Sequence, residues 1–148
     1  AKFYPQINFN IIGNGPERDN LEKNASSNVV FHGELSQDKI DAIFQQSDIM
    51  FLPSKSEGFP KVILEAASAG IPSVVYNSYG ASKWMKHRIN GFIANDFNEV
   101  KSIINELLND SVSLQKSSEN AVKLAKRFDW KNIIFDWEKV IVNLHNGQ

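Results

Sequence analysis

The chain contains no cysteine. That absence removes disulfides, thiol nucleophiles and thiolate metal sites together, and it fits a reducing compartment. An excess of charge of either sign is missing too. Lys and Arg number 16 against 17 Asp and Glu, a formal net charge of −1, so no cationic face is on offer to nucleic acid or to an anionic membrane. No apolar run approaches the roughly 18 residues of a membrane helix; Ile49–Leu52 is typical of the short runs present. The three histidines, His32, His87 and His145, share no ligand spacing, and there is no His-Glu-x-x-His helix, so no metal site is expected. The start, Ala1-Lys2-Phe3-Tyr4-Pro5, has neither an initiator Met nor a signal-peptide pattern, and a longer protein is expected around it. What remains is ordinary globular material. The 148 residues, 42% hydrophobic and 22% charged, suit one domain spanning residues 1–148, without repeat, low-complexity tract or linker.

Short apolar runs alternate with helical patterns. Strands are expected at Asn8–Ile12, Val29–His32, Ile49–Leu52, Ser73–Tyr76 and Phe92–Ala94, most of them ending at a turn signal such as Gly13-Asn14-Gly15 or Gly33. Ile49–Leu52 is apolar throughout, as a strand covered on both faces should be. Helices are expected from Pro16, placed at a first helical position, from Ser36-Gln37-Asp38 with Ile40, Ile43 and Phe44 on one side, over Pro60–Ala69, and around Ser82–His87. Three more follow at Asn98–Leu108, Val112–Phe128 and Trp130–Leu144. This alternation predicts an α/β domain with a mainly parallel sheet flanked by helices and a helical C-terminal tail. Ligands of such sheets bind in the loops at the carboxyl ends of strands. The loops after Ile12, His32 and Leu52 are therefore the places to search.

Gly13-Asn14-Gly15-Pro16 is half of a dinucleotide fingerprint. Its third glycine falls on Arg18, and no Gly-Lys-Ser/Thr follows, so it reads as a tight strand-to-helix turn. Ser54–Gly70 says more. Glu57, Gly58 and Phe59 precede a helix opened at or near Pro60. Gly58 lets another backbone or a ligand approach closely, and the free N–H groups of the first helical turn form an anion site. Glu65 follows Glu57 by eight residues, among Val62, Ile63, Leu64, Ala66, Ala67 and Ala69. A carboxylate in so apolar a helix needs a hydrogen-bond partner, either Lys61 or backbone nearby, or a cleft to face. Beside an anion site, a carboxylate is the right acceptor for the paired hydroxyls of a ribose or hexose.

Glu57-Gly-Phe-Pro-Lys-Val-Ile-Leu-Glu65 resembles the Glu-x7-Glu motif of the retaining GT-B glycosyltransferases of group 1, also called family 4. Ile12-Gly-Asn-Gly-Pro16, Val30-Phe-His-Gly33, Asp48–Ser54, Glu65–Pro72, Asn90-Gly-Phe-Ile93 and Phe128-Asp-Trp130 extend the likeness over about residues 7–135. The resemblance implies a Rossmann-like half of a GT-B fold that binds a nucleotide diphosphate sugar, no catalytic metal and no cofactor. By position, Glu57 would meet hydroxyls of the donor sugar and act as the catalytic residue. Gly58 and the backbone N–H groups of Phe59, Lys61 and Val62 would face the sugar or diphosphate, and Glu65 the ribose. The backbone at Glu34 and Leu35 would meet the nucleobase.

Pro60 stands where the family usually has Gly, which removes one N–H donor, and Lys83 stands where it often has Glu. An Arg and a Lys that clamp the diphosphate, and the acceptor-binding N-terminal domain, would lie before Ala1. The expected function is donor binding for a cytoplasmic enzyme of polysaccharide biosynthesis that moves a hexose to an acceptor hydroxyl with retention. Contact of the intact enzyme with a membrane is left open, and the 148 residues alone are expected to be inactive. The alternatives are a non-catalytic nucleotide-sugar-binding module and half of a GT-B nucleotide-sugar epimerase. The family's Gly-x-Gly-Pro turn follows its second strand, which makes Lys2–Pro5 the tail of a crossover helix. The central strand of a 3-2-1-4-5-6 order would then be absent, leaving Asn8–Ile12 and Ile49–Leu52 each with an unpaired edge.

Overall fold

The computed structural model describes residues 1–145. Its secondary structure is α/β, and it divides into two compact units, Ala1–Gln46 and a second beginning at Ser47.

In the first unit β1 (Phe9–Ile12) pairs in parallel with β2 (Val29–Gly33), joined by α1 (Arg18–Asn24) and followed by α2 (Gln37–Phe44). The register slips between Ile11 and Ile12, which brings Ile12 opposite Gly33. Gly33 has φ 70°, a left-handed backbone that favours glycine. Pro16 is not the first helical residue. The Arg18 amide donates to the Gly15 carbonyl at 3.1 Å, closing a turn with Pro16 at its second position, and the helix starts only after Glu17. Lys2–Pro5 is a pair of turns rather than a helix tail. The Asn28 side-chain Nδ2 donates to the carbonyls of Tyr4 and Ile7 at 2.9 and 2.7 Å, and Pro5 has no N–H to continue a helix.

In the second unit β3 (Met50–Leu52), β4 (Ser73–Tyr76) and β5 (Phe92–Ala94) form a parallel sheet in that order. Alternation along β4 sends neighbouring valines to opposite faces. Val74 joins Phe92 and Ala94 against Val100, Ile103 and Leu107 of α4 (Phe97–Asn109). Val75 joins Ile63 of α3 (Lys61–Ser68), Ala81 and Met85. The sheet is thus covered on both faces at its centre, as a parallel sheet must be. At β3 the cover is incomplete: Phe51 remains 39% exposed, against the expectation from its apolar run. Asp96 caps α4 by accepting the amides of Asn98 and Glu99 at 2.7 and 2.9 Å, and Asp110 caps α5 (Ser111–Arg127) through Ser113. α5 lies against α3, where the Ser118 hydroxyl donates to the Gly70 carbonyl.

The helix expected at Ser82–His87 is only a 3-10 turn, Ala81–Lys83. Tyr79 and Gly80 precede it with φ of 42° and 72°. Trp84 leaves it at φ −125°, and the chain turns back so that the Arg88 amide reaches the Gly91 carbonyl at 2.8 Å. The last helix, α6 (Trp130–His145), buries none of its residues in the described structure. Among the described residues β1 pairs only with β2 and β3 only with β4, so each keeps the one free edge expected of it. No described helix is long and apolar enough to cross a membrane.

Candidate functional site

The segment from Pro53 to Pro60 leaves the carboxyl end of β3 and enters α3. Pro60 is the N-cap rather than a helical residue, with φ −77° and ψ 100°. Its carbonyl accepts the Ile63 amide at 3.1 Å. The amides of Lys61 and Val62 donate to nothing among the described residues, so they stand as open donors at the positive end of α3. Gly58, in the loop before them, borders open space: a Cβ there would meet no atom within 4 Å.

Glu57 is half-buried and Glu65 is half-buried. Neither carboxylate forms an ion pair or a hydrogen bond among the described residues. The pairing of Glu65 with Lys61 or with nearby backbone, which would have explained it as a structural residue, is not there. Helical spacing sets Glu65 opposite the buried stripe of Ile63, Ala66 and Ala67. The helix is apolar in sequence but buried on one face only, and Glu65 lies on the other.

Phe59 fixes the loop in place. Its ring, 37% exposed, lies 5.2 Å from Trp84 and 5.0 Å from Phe128, both in tilted arrangements that favour aromatic attraction. Arg127 sits over the far partner, Phe128, at 5.9 Å. Local sequence gave no sign of this trio, because Trp84 and Phe128 lie 25 and 69 positions downstream. Within the loop the Ser54 hydroxyl donates to the Ser56 carbonyl at 3.1 Å.

Tyr79 was also missed. It follows β4, whose loop is tied to the β3 loop by Ser78 Oγ donating to the Ser54 carbonyl at 3.4 Å. The Tyr79 hydroxyl is buried without a hydrogen-bond partner. Burial pushes this phenol above its ordinary range, and the negative charge of Glu57 adds to the rise.

Glu34 and Leu35 lie in the first unit, in the loop between β2 and α2, exposed and half-buried respectively. A hollow of about 540 Å³ lies at the carboxyl ends of β4 and β5, lined by Asn77, His87, Ile93, Asn95, Glu99 and Ile103 among others. It includes none of the site residues expected from sequence, and its lining is largely self-satisfied: Asn77 donates to Asn95, and Asn95 to Glu99. No cluster of three or more His, Asp or Glu able to hold a metal occurs among the described residues.

A family model described as "Glycosyl transferases group 1" matches residues 1–127. An uncharacterized glycosyltransferase of Haemophilus influenzae is 28% identical over 148 residues, covering 95% of this chain and 42% of the relative. The poly(glycerol-phosphate) alpha-glucosyltransferase of Bacillus subtilis is 31% identical, covering 93% of this chain and 21% of its own length. Among solved structures, Anabaena HepE in complex with UDP-glucose superposes with a TM-score of 0.78 at 25% identity, over 94% of this chain and 42% of that one. The chain therefore spans less than half the length of each of these proteins.

Proposed function

The chain belongs to the group 1 glycosyltransferases, and from that premise we propose that it is the donor-binding part of an enzyme that transfers a hexose, with retention, from a nucleotide diphosphate sugar to an acceptor hydroxyl. One observation carries the reading. Two carboxylates without partners, Glu57 and Glu65, flank a helix start whose Lys61 and Val62 amides are open and whose approach at Gly58 is clear. Amides at a helix N-terminus suit the diphosphate. They also stabilise the charge that develops on it as the glycosidic bond to the leaving nucleotide breaks. Glu65 accepts hydrogen bonds from the ribose hydroxyls and Glu57 from those of the sugar, while Gly58 and the Phe59 amide border the sugar. HepE, similar over nearly the whole chain, holds UDP-glucose, which makes a uridine donor the first to try.

The remainder of the catalytic apparatus, an Arg-Lys clamp on the diphosphate and an acceptor domain, lies outside these residues in this reading. The 148-residue chain is then a single binding domain that acts in the cytoplasm as part of a longer protein and is inactive alone. Calorimetric titration with UDP-glucose, GDP-mannose and ADP-glucose tests the reading, which predicts binding of at least one. Absence of binding to all of them at millimolar ligand, or sustained transfer by the 148 residues alone, refutes it. Pro60, which offers no N–H at the cap, favours a second reading: a module that holds the nucleotide sugar without turnover. Release of nucleotide by the longer protein in the presence of acceptor decides between the two.

A further inference from the structure

β3 and β4 are adjacent and parallel, so the loops that follow them leave the same, carboxyl, end of the sheet. One carries Glu57 and the other Tyr79, and the Ser78–Ser54 hydrogen bond joins the loops directly. Tyr79 is held with φ 42°, a costly conformation for a residue with a Cβ. Its ring packs on the cluster of Ile63, Val75, Ala81 and Met85, which keeps the hydroxyl out of water, and that hydroxyl has no partner. A buried O–H donor without an acceptor is uncommon and calls for an explanation. The facing loop supplies a carboxylate with the converse lack: Glu57 is half-buried and accepts no hydrogen bond. It is also the charge whose field reaches the Tyr79 phenol.

Resting on the donor-site reading above, we propose that Tyr79 is a positioning residue for Glu57: its hydroxyl donates to the Glu57 carboxylate once a nucleotide sugar is bound, and so aims that carboxylate at the sugar hydroxyls. One carboxylate oxygen takes the phenol proton's hydrogen bond and the other stays free for the sugar. The strained backbone at Tyr79 persists because the buried ring and the loop-to-loop bond together determine it.

The test compares two probes, UDP-glucose and UDP, on the 148-residue chain by calorimetry, with the GDP-mannose and GDP pair used if uridine ligands do not bind. Tyr79→Phe keeps the ring and removes only the donor. The expected result is a loss of about tenfold in affinity for the sugar nucleotide, as for one hydrogen bond to a charged acceptor, with affinity for the nucleotide alone unchanged. In a Glu57→Ala background the same substitution should have no further effect. Equal weakening of both probes, no weakening of either, or a full effect persisting in Glu57→Ala overturns the proposal and leaves the donor site standing. A parent chain that binds the sugar nucleotide no better than the nucleotide, or binds neither, removes Glu57's role and this proposal with it. Should Tyr79→Phe fail to fold, ¹³C-tyrosine NMR on the unmutated chain serves instead. The Tyr79 Cζ signal, one of three in the protein, should shift on adding UDP-glucose but not UDP, and an unmoved signal counts against the proposal.

Discussion

Replacing Phe59 by Ala should destabilise the second unit by about 2–3 kcal/mol. Two estimates, about 1–3 kcal/mol from the ring pairs and about 2–3 kcal/mol from truncation, overlap there. The ring makes close tilted pairs with Trp84 and Phe128, at 5.2 and 5.0 Å, each worth roughly 0.5–1.5 kcal/mol beyond area. Independently, Phe→Ala in a full core costs about 3–5 kcal/mol. With Phe59 still 37% exposed, roughly two thirds of that applies. At about 2–4 °C per kcal/mol for a chain of this length, the melting temperature should fall by about 4–12 °C. Phe59→Leu keeps most of the apolar area but loses the ring pairs, and should cost about half as much. Circular dichroism follows the melt, and tryptophan fluorescence reports the loss of the Trp84 contact. A double-mutant cycle of Phe59→Leu with Phe128→Leu should show a coupling of about 0.5–1.5 kcal/mol. Because the loop leads into the open Lys61 and Val62 amides proposed to hold the diphosphate, Phe59→Ala should weaken UDP and UDP-glucose alike. A melting temperature within about 1 °C of the parent, or no coupling in the cycle, would show that the aromatic trio does not hold the loop.

Glu65→Gln should leave the fold intact and weaken donor binding by roughly 1.5–3 kcal/mol, about tenfold to a hundredfold, the worth of a charge-assisted hydrogen bond; unchanged affinity by calorimetry makes Glu65 merely structural. Tyr79 ionises above its ordinary value of 10.0 in the folded chain. The unfolded chain therefore loses that proton first, so the stability this tyrosine contributes is intact below pH 10 and falls as pH rises through the folded value. Urea midpoints measured on either side of pH 10 should drop less for Tyr79→Phe than for the parent, with Tyr4, also raised by burial, responsible for part of the remaining drop. Equal slopes for the two chains contradict the burial of that hydroxyl. Ser117 buries a hydroxyl without a partner inside α5, so Ser117→Ala should raise stability by about 1 kcal/mol, and a lower urea midpoint would mean the hydroxyl is satisfied after all.

Much of this was legible in the residues because it is local. β4 and β5 fall at Ser73–Tyr76 and Phe92–Ala94, the limits their apolar runs set. α4 starts one residue early because Asp96 is its cap. What was misread is where a distant group or a strained backbone decides. The Ser82–His87 pattern looked helical, yet Trp84 leaves at φ −125° and the return at Arg88–Gly91 ends it after one turn. Pro16 has the φ of a first helical residue but serves a turn instead. In the candidate site, the glutamates and the helix start could be read from spacing along one segment. Trp84, Phe128 and Tyr79 could not, since only the fold brings them to that segment.

Gly58 has one more consequence. Its φ lies outside the left-handed region and its missing side chain touches nothing, so the chain's own architecture does not ask for glycine there. Gly→Ala at a compatible position stabilises by about 0.4–1 kcal/mol through the unfolded state. A laboratory lineage selected only for heat resistance would therefore drift to alanine at residue 58, gaining robustness while a methyl group took up part of the open space in front of α3.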